Sequence, residues 1–140
     1  MRVKELVSIL EEELSLFDTL IELMTVEGEV VGSLDVERID DHLRKKTELI
    51  ERIRALDARR EEILSREGCS GKSLREIARQ WGDDELSRIA REFREKIERV
   101  TELNRINSLL IEKSLLYVSS SFRFLRDLGV NPKARVSVEA

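Results

Sequence analysis

Proline and cysteine occur once each in this chain of 140 residues, at Pro132 and Cys69, and aromatic residues make up only 4%. One cysteine excludes an intramolecular disulfide and fits a reducing compartment. So few prolines, all past residue 131, leave long stretches with no obligatory helix stop. The scarcity of aromatics, beside 39% charged residues, excludes a broad core. No run approaches 18 apolar residues, so no membrane-spanning helix is expected. The start, MRVKELVSILEEEL, is broken by Glu5 and Glu11 to Glu13 and lacks the shape of a signal peptide. A cytoplasmic protein is expected.

What is abundant is Glu, Arg, Leu and Ile, which points to long coiled-coil-like helices. The formal charge of −4 is unevenly spread. Residues 1–30 hold 8 acids and 2 bases, whereas residues 103–128 hold 2 acids and 4 bases. The two ends therefore attract within one bundle. No basic tract marks a nucleic-acid binder.

Apolar periodicity divides the chain into helices. Val3, Val7, Leu10, Leu14, Phe17, Ile21 and Met24 alternate spacings of 4 and 3, a heptad seam, over a helix expected from Val3 to Glu27. Leu6, Ile9, Leu16, Leu20 and Leu23 widen its face as a bundle requires. Gly28 and Gly32 are expected to loosen it. A second helix, Asp35 to Glu67 with Asp35 as N-cap, carries a stripe of Val36, Ile39, Leu43, Ile50, Ile53, Leu56 and Ile63. Lys46 and Arg60 fall on or beside that stripe and are expected to snorkel over it. The dense charges around them read as a solvated face with i,i+4 pairs.

GCSG at 68–71 breaks the pattern. Ser73 and Glu76 form a capping box for a short helix that Trp81 ends and Gly82 caps, with Trp81 packing over the bundle end. The last helix starts after the N-cap Asp83, and nothing breaks it before Gly129. Its seam reads Leu86, Ala90, Phe93, Ile97, Val100, Asn104, Asn107, Ile111, Ser114, Val118, Ser121, Leu125 and Leu128. Beyond Val100 the seam turns polar while its flanks, Leu103, Ile106, Leu110, Leu115, Leu116, Tyr117 and Phe122, turn apolar. Of residues 103–128, 13 are large and apolar, more than one helix face needs. The architecture expected is all-α: an elongated antiparallel hairpin or bundle in one domain, residues 1–128, with a flexible tail over 129–140.

Sites for chemistry are absent from this reading. GCSGKS at 68–73 lacks the first glycine of a phosphate loop, which Arg66 replaces, and follows a charged helix rather than a strand. His42 has no second metal ligand at a suitable spacing, and Cys69 has no histidine partner. No enzyme, metal or cofactor is expected. The asparagines remain. In a heptad seam Asn104 and Asn107 either fix register or hydrogen-bond the backbone of an incoming helix, with the apolar residues around them as its groove.

The run N-R-I-N-S-L-L-I-E-K-S-L-L-Y-V at 104–118 resembles the asparagine signature of FlgN-type flagellar export chaperones. An acidic first helix, Lys46-Thr47-Glu48-Leu49-Ile50 followed by Arg59 or Arg60, and a short helix before a long one agree in order. The resemblance covers roughly residues 1–128. It implies a chaperone that binds the C-terminal helical segments of the hook–filament junction proteins FlgK and FlgL and keeps them unassembled. It implies delivery to the export gate of the flagellar type III apparatus. By position, Asn104, Asn107, Leu110, Ile111, Ser114 and Leu115 match the signature. Ile106, Tyr117, Val118 and Phe122 complete the expected docking face. The other reading of the same residues is a structural or adaptor coiled coil whose apolar end is its own homodimer interface.

Overall fold

The computed structural model describes the backbone of residues 2–129, and the side chains of these except at 2, 114–122, 124 and 125. Four helices follow one another: α1 (Arg2–Gly32), α2 (Val36–Arg66), α3 (Leu74–Trp81) and α4 (Asp84–Asp127). The expected tail lies outside the described residues from Val130 onward.

The caps fall where short polar residues fit them. Asp35 accepts from Arg38 N at 3.3 Å, Ser73 from Glu76 N at 3.2 Å and Asp83 from Leu86 N at 2.8 Å. Gly82 closes α3 in the left-handed region at φ 59°. The α1–α2 turn instead puts Leu34 there, at φ 57° and largely exposed. A branched side chain in that region is strained by about 1–2 kcal/mol. Leu34→Asn is therefore expected to raise stability by about 0.5–1 kcal/mol, read as a higher urea midpoint at unchanged slope. No change would show that the turn is relaxed as it stands.

The first helix is the axis of the molecule. It packs against both α2 and α4, while α3 packs on α4. This is why its apolar face is so wide. The heptad from Val3 to Met24 meets α4, as shown by Phe17 edge-on to Phe93 with ring centroids 5.3 Å apart. A second heptad, Leu6, Ile9, Glu13, Leu16, Leu20, Leu23, Glu27 and Val30, turns toward α2. There Glu13 meets Arg60, and Glu27 meets His42 and Lys46. The pairings run antiparallel between α1 and α2. They run parallel between α1 and α4, where Phe17 meets Phe93 and Met24 meets Asn107.

Several expectations are corrected here. Helix α1 does not stop at Glu27 but runs through Gly28 to Gly32. On α2, Val36 and Leu43 are exposed, and His42, Leu49, Leu56 and Ile63 form the buried seam with Lys46, Ile53 and Arg60 between them. On α4, Ile97 and Asn104 are exposed, and Ile89 and Leu103 take the buried places. Spacings of 3 and 4 alternate equally well through either set, so the burial decided what the periodicity left open. Lys46 and Arg60 do not lift their charges to water. They turn them inward onto two carboxylates that are themselves buried.

Candidate docking surface on the last helix

The residues at 103–111 are held against α1 by a small lock. Asn107 is buried and donates from Nδ2 to the backbone carbonyl of Met24, at 2.8 Å. One turn further on, Gly28 leaves space that a side chain would fill. A Cβ there would lie 2.6 Å from Leu110 Cδ1. Gly28 therefore serves close approach of two helices rather than flexibility. Leu103 is buried on the near side of Asn107, and Ile106 is half-buried beside it. Asn104, Leu109 and Leu110 face outward, the last at 43% exposure although its tip lies against α1.

The lock sets a register with a consequence at the helix end. Met24 faces Asn107 and Gly28 faces Leu110, so the end of α1 at Gly32 falls level with about residue 114. Helix α4 continues to Asp127, about 13 residues and about 20 Å beyond that level. The seam that buries Leu103 and Asn107 and partly buries Val100 continues in sequence through Ser114, Tyr117, Ser121, Phe124 and Leu128, past the end of α1. The side chains of Ser114, Leu115, Tyr117, Val118 and Phe122 lie outside the described ones. Of the expected docking residues, the structure thus brings Asn107, Ile106 and Leu110 to the α1 edge, half-buries Ile111, and leaves Asn104 exposed.

Apolar residues not assigned to a docking face lie at the same end. Leu34, Val36, Leu43 and Leu109 are all exposed there, on the α1–α2 turn, the start of α2 and the outer side of α4. The first of these sits outside any periodic stripe, so only an apolar residue inside a turn signals it. Exposed aliphatic residues near the stretch of α4 that runs past the end of α1 are suited to receiving another amphipathic segment.

Beneath this end lies a charge cluster. Glu27 is buried, and its Oε1 accepts from Lys46 Nζ at 2.8 Å and from His42 Nε2 at 3.0 Å. Burial alone would raise its pKa; the hydrogen bonds from Lys46 and His42 outweigh that and hold the carboxyl below its usual range. His42 is thus a buried structural residue. Among the described residues no group of three potential ligands is placed to hold a metal ion. Cys69 is buried in the core at the other end of the bundle. No described helix is long and apolar enough to cross a membrane.

A protein-family model described as FlgN protein matches residues 1–133. No curated protein and no solved structure matches the chain.

Proposed function

This chain belongs to the FlgN family of flagellar export chaperones, and on that premise we propose that its clients dock on the length of α4 that outruns α1. Members of the family are soluble cytoplasmic proteins without enzymatic activity, and they bind flagellar hook-associated proteins. The clients of this chain are the C-terminal helical segments of FlgK and FlgL, which it binds in the cytoplasm. The observation that supports the reading is the register at Asn107 and Leu110, which carries the apolar continuation of the sequence seam past the end of α1.

The chemistry is that of helix addition. A client segment that self-associates through an apolar stripe lays that stripe on Leu110, Ile111, Leu115, Tyr117, Val118 and Phe122. Each large side chain buried contributes about 1.5–3 kcal/mol before ordering costs are subtracted. Folding of the client on binding consumes much of this, which suits a complex that must later release. The loaded chaperone is then passed to the export gate. Asn104, exposed beside the lock, is free to bond the backbone of the incoming helix.

The test is the double variant Tyr117→Asp/Phe122→Asp. Both positions lie past the level of Gly32, so the melting temperature is expected to stay within about 2 °C of the parent. Affinity for the FlgK and FlgL segments is expected to fall at least about tenfold. Unchanged affinity with an intact fold would place the client elsewhere. A parent that is a tight dimer, made monomeric by the same variant, would support the coiled-coil reading instead.

A further inference from the structure

Toward the opposite end of the bundle a groove of about 760 Å³ runs between α3 and residues 90–98 of α4. Leu74, Ala90, Phe93 and Ile97 supply its apolar lining, with Arg60 of α2 over the Phe93 ring. Ile97 is 43% exposed, unusual for a large aliphatic residue within a groove. The rim is basic. Arg75 and Arg79 stand one turn apart on α3, whose other side sends Ile77 and Ala78 into the core. Arg91 and Arg94 face them from α4. Arg94 bonds Glu98, while Arg75, Arg79 and Arg91 form no ion pair among the described residues.

We propose that this groove seats an acidic amphipathic helix of a partner protein, with its apolar stripe on Leu74 and Ile97 and its carboxylates on Arg75, Arg79 and Arg91. The combination selects the occupant. A polyanion such as nucleic acid has no use for an apolar floor, whereas an acidic helix with one apolar face matches both parts. A second copy of this chain fits poorly. Its acidic surface on α1 offers Val26 as the exposed large aliphatic residue described there. Segment 130–140 has the wrong sign, with Lys133 and Arg135 against Glu139. The groove lies about 30 Å along α4 from the overhang, so one chain can hold a client at one end and this partner at the other. The inference stands independently of where the client docks.

Fluorescence anisotropy on the full chain tests it. The probe is a labelled synthetic 18-residue helix with leucines at i, i+3, i+4 and i+7 and glutamates on both flanks. Saturable binding that weakens with added salt is expected. It should fall at least tenfold in Arg75→Glu/Arg79→Glu and severalfold in Ile97→Ser. It should be unchanged in Tyr117→Asp/Phe122→Asp. All three groove positions are exposed, so folding is expected to survive; circular dichroism checks this, and Ile97→Ser carries the test alone if the arginine variant unfolds. Equal binding of a scrambled peptide of the same composition would overturn the proposal, reducing the groove to a charge patch. So would probe binding indifferent to the groove variants, or tighter binding of oligo-dT than of the peptide.

Discussion

Arg60→Met is expected to lower stability by about 3–5 kcal/mol at pH 8, and by clearly less at pH 5. Arg60 stands where all three long helices meet. Its Nε lies 3.2 Å from Glu13 Oε1 of α1, its guanidinium covers the Phe93 ring of α4 at 4.9 Å, and it also pairs with Asp57 on α2. The contact with Glu13 is close but poorly aligned, and both carboxylate oxygens lack a hydrogen-bond partner. Burial therefore dominates, and it pushes the Glu13 carboxyl up from 4.5 to about 7 against the attraction of Arg60.

The sign of the pH dependence follows. A carboxyl bound more tightly to its proton in the folded state adds stability at low pH. That stability is lost as pH rises from about 4.5 through about 7. The full change is about 3 kcal/mol. Glu27 acts in the opposite sense. Its lowered pKa contributes stability above about 4.5 that disappears on acidification. Glu13→Gln should therefore flatten the loss between pH 5 and 8 and leave the acid side, governed by Glu27, as it was. In that background Arg60→Met should cost much less than it does alone. Urea titrations at pH 5, 6.5 and 8 on the four chains check this. An Arg60→Met penalty independent of both pH and Glu13 would show that packing over Phe93, not the buried charge, sets Arg60's role.

The second large effect is at the lock. Asn107→Ala is expected to lower stability by about 1–3 kcal/mol, because it removes a buried donor and opens a small void against Met24. Asn107→Asp should lose more near neutral pH, since a carboxylate would face a carbonyl oxygen. Client affinity should fall only as far as the loosened register moves Leu110. If Asn107→Ala keeps its stability and loses client binding, the side chain serves the partner and its bond to Met24 is incidental.

The parts of this architecture that rest on local chemistry were legible from the residues. Asp35, Ser73, Gly82 and Asp83 are side-chain or backbone solutions to helix ends, and the structure uses each as such. The excess of apolar residues toward the end of α4 is a property of composition, and the register at Asn107 and Leu110 carries that stretch past the end of α1. Long-range partners were not legible. Glu13 ends the run Glu11-Glu12-Glu13 and reads as solvated, yet Leu6 and Leu20 lie one heptad to either side of it. Recognising that α1 carries two seams would have placed both Glu13 and Glu27 inside, together with the bases that answer them. Gly28 misled for a similar reason. A glycine in a helix signals weakness unless the neighbour that approaches it is known, and here that neighbour, Leu110, lies 82 residues away in sequence.

Titration calorimetry of the intact chain against the C-terminal segments of FlgK and FlgL, repeated at several temperatures, tests the central claim most directly. The docking account predicts one-to-one saturation with a negative heat-capacity change, the sign of apolar surface leaving water. Absence of heat at every temperature, with the chain held as a rigid dimer through α4, would contradict it.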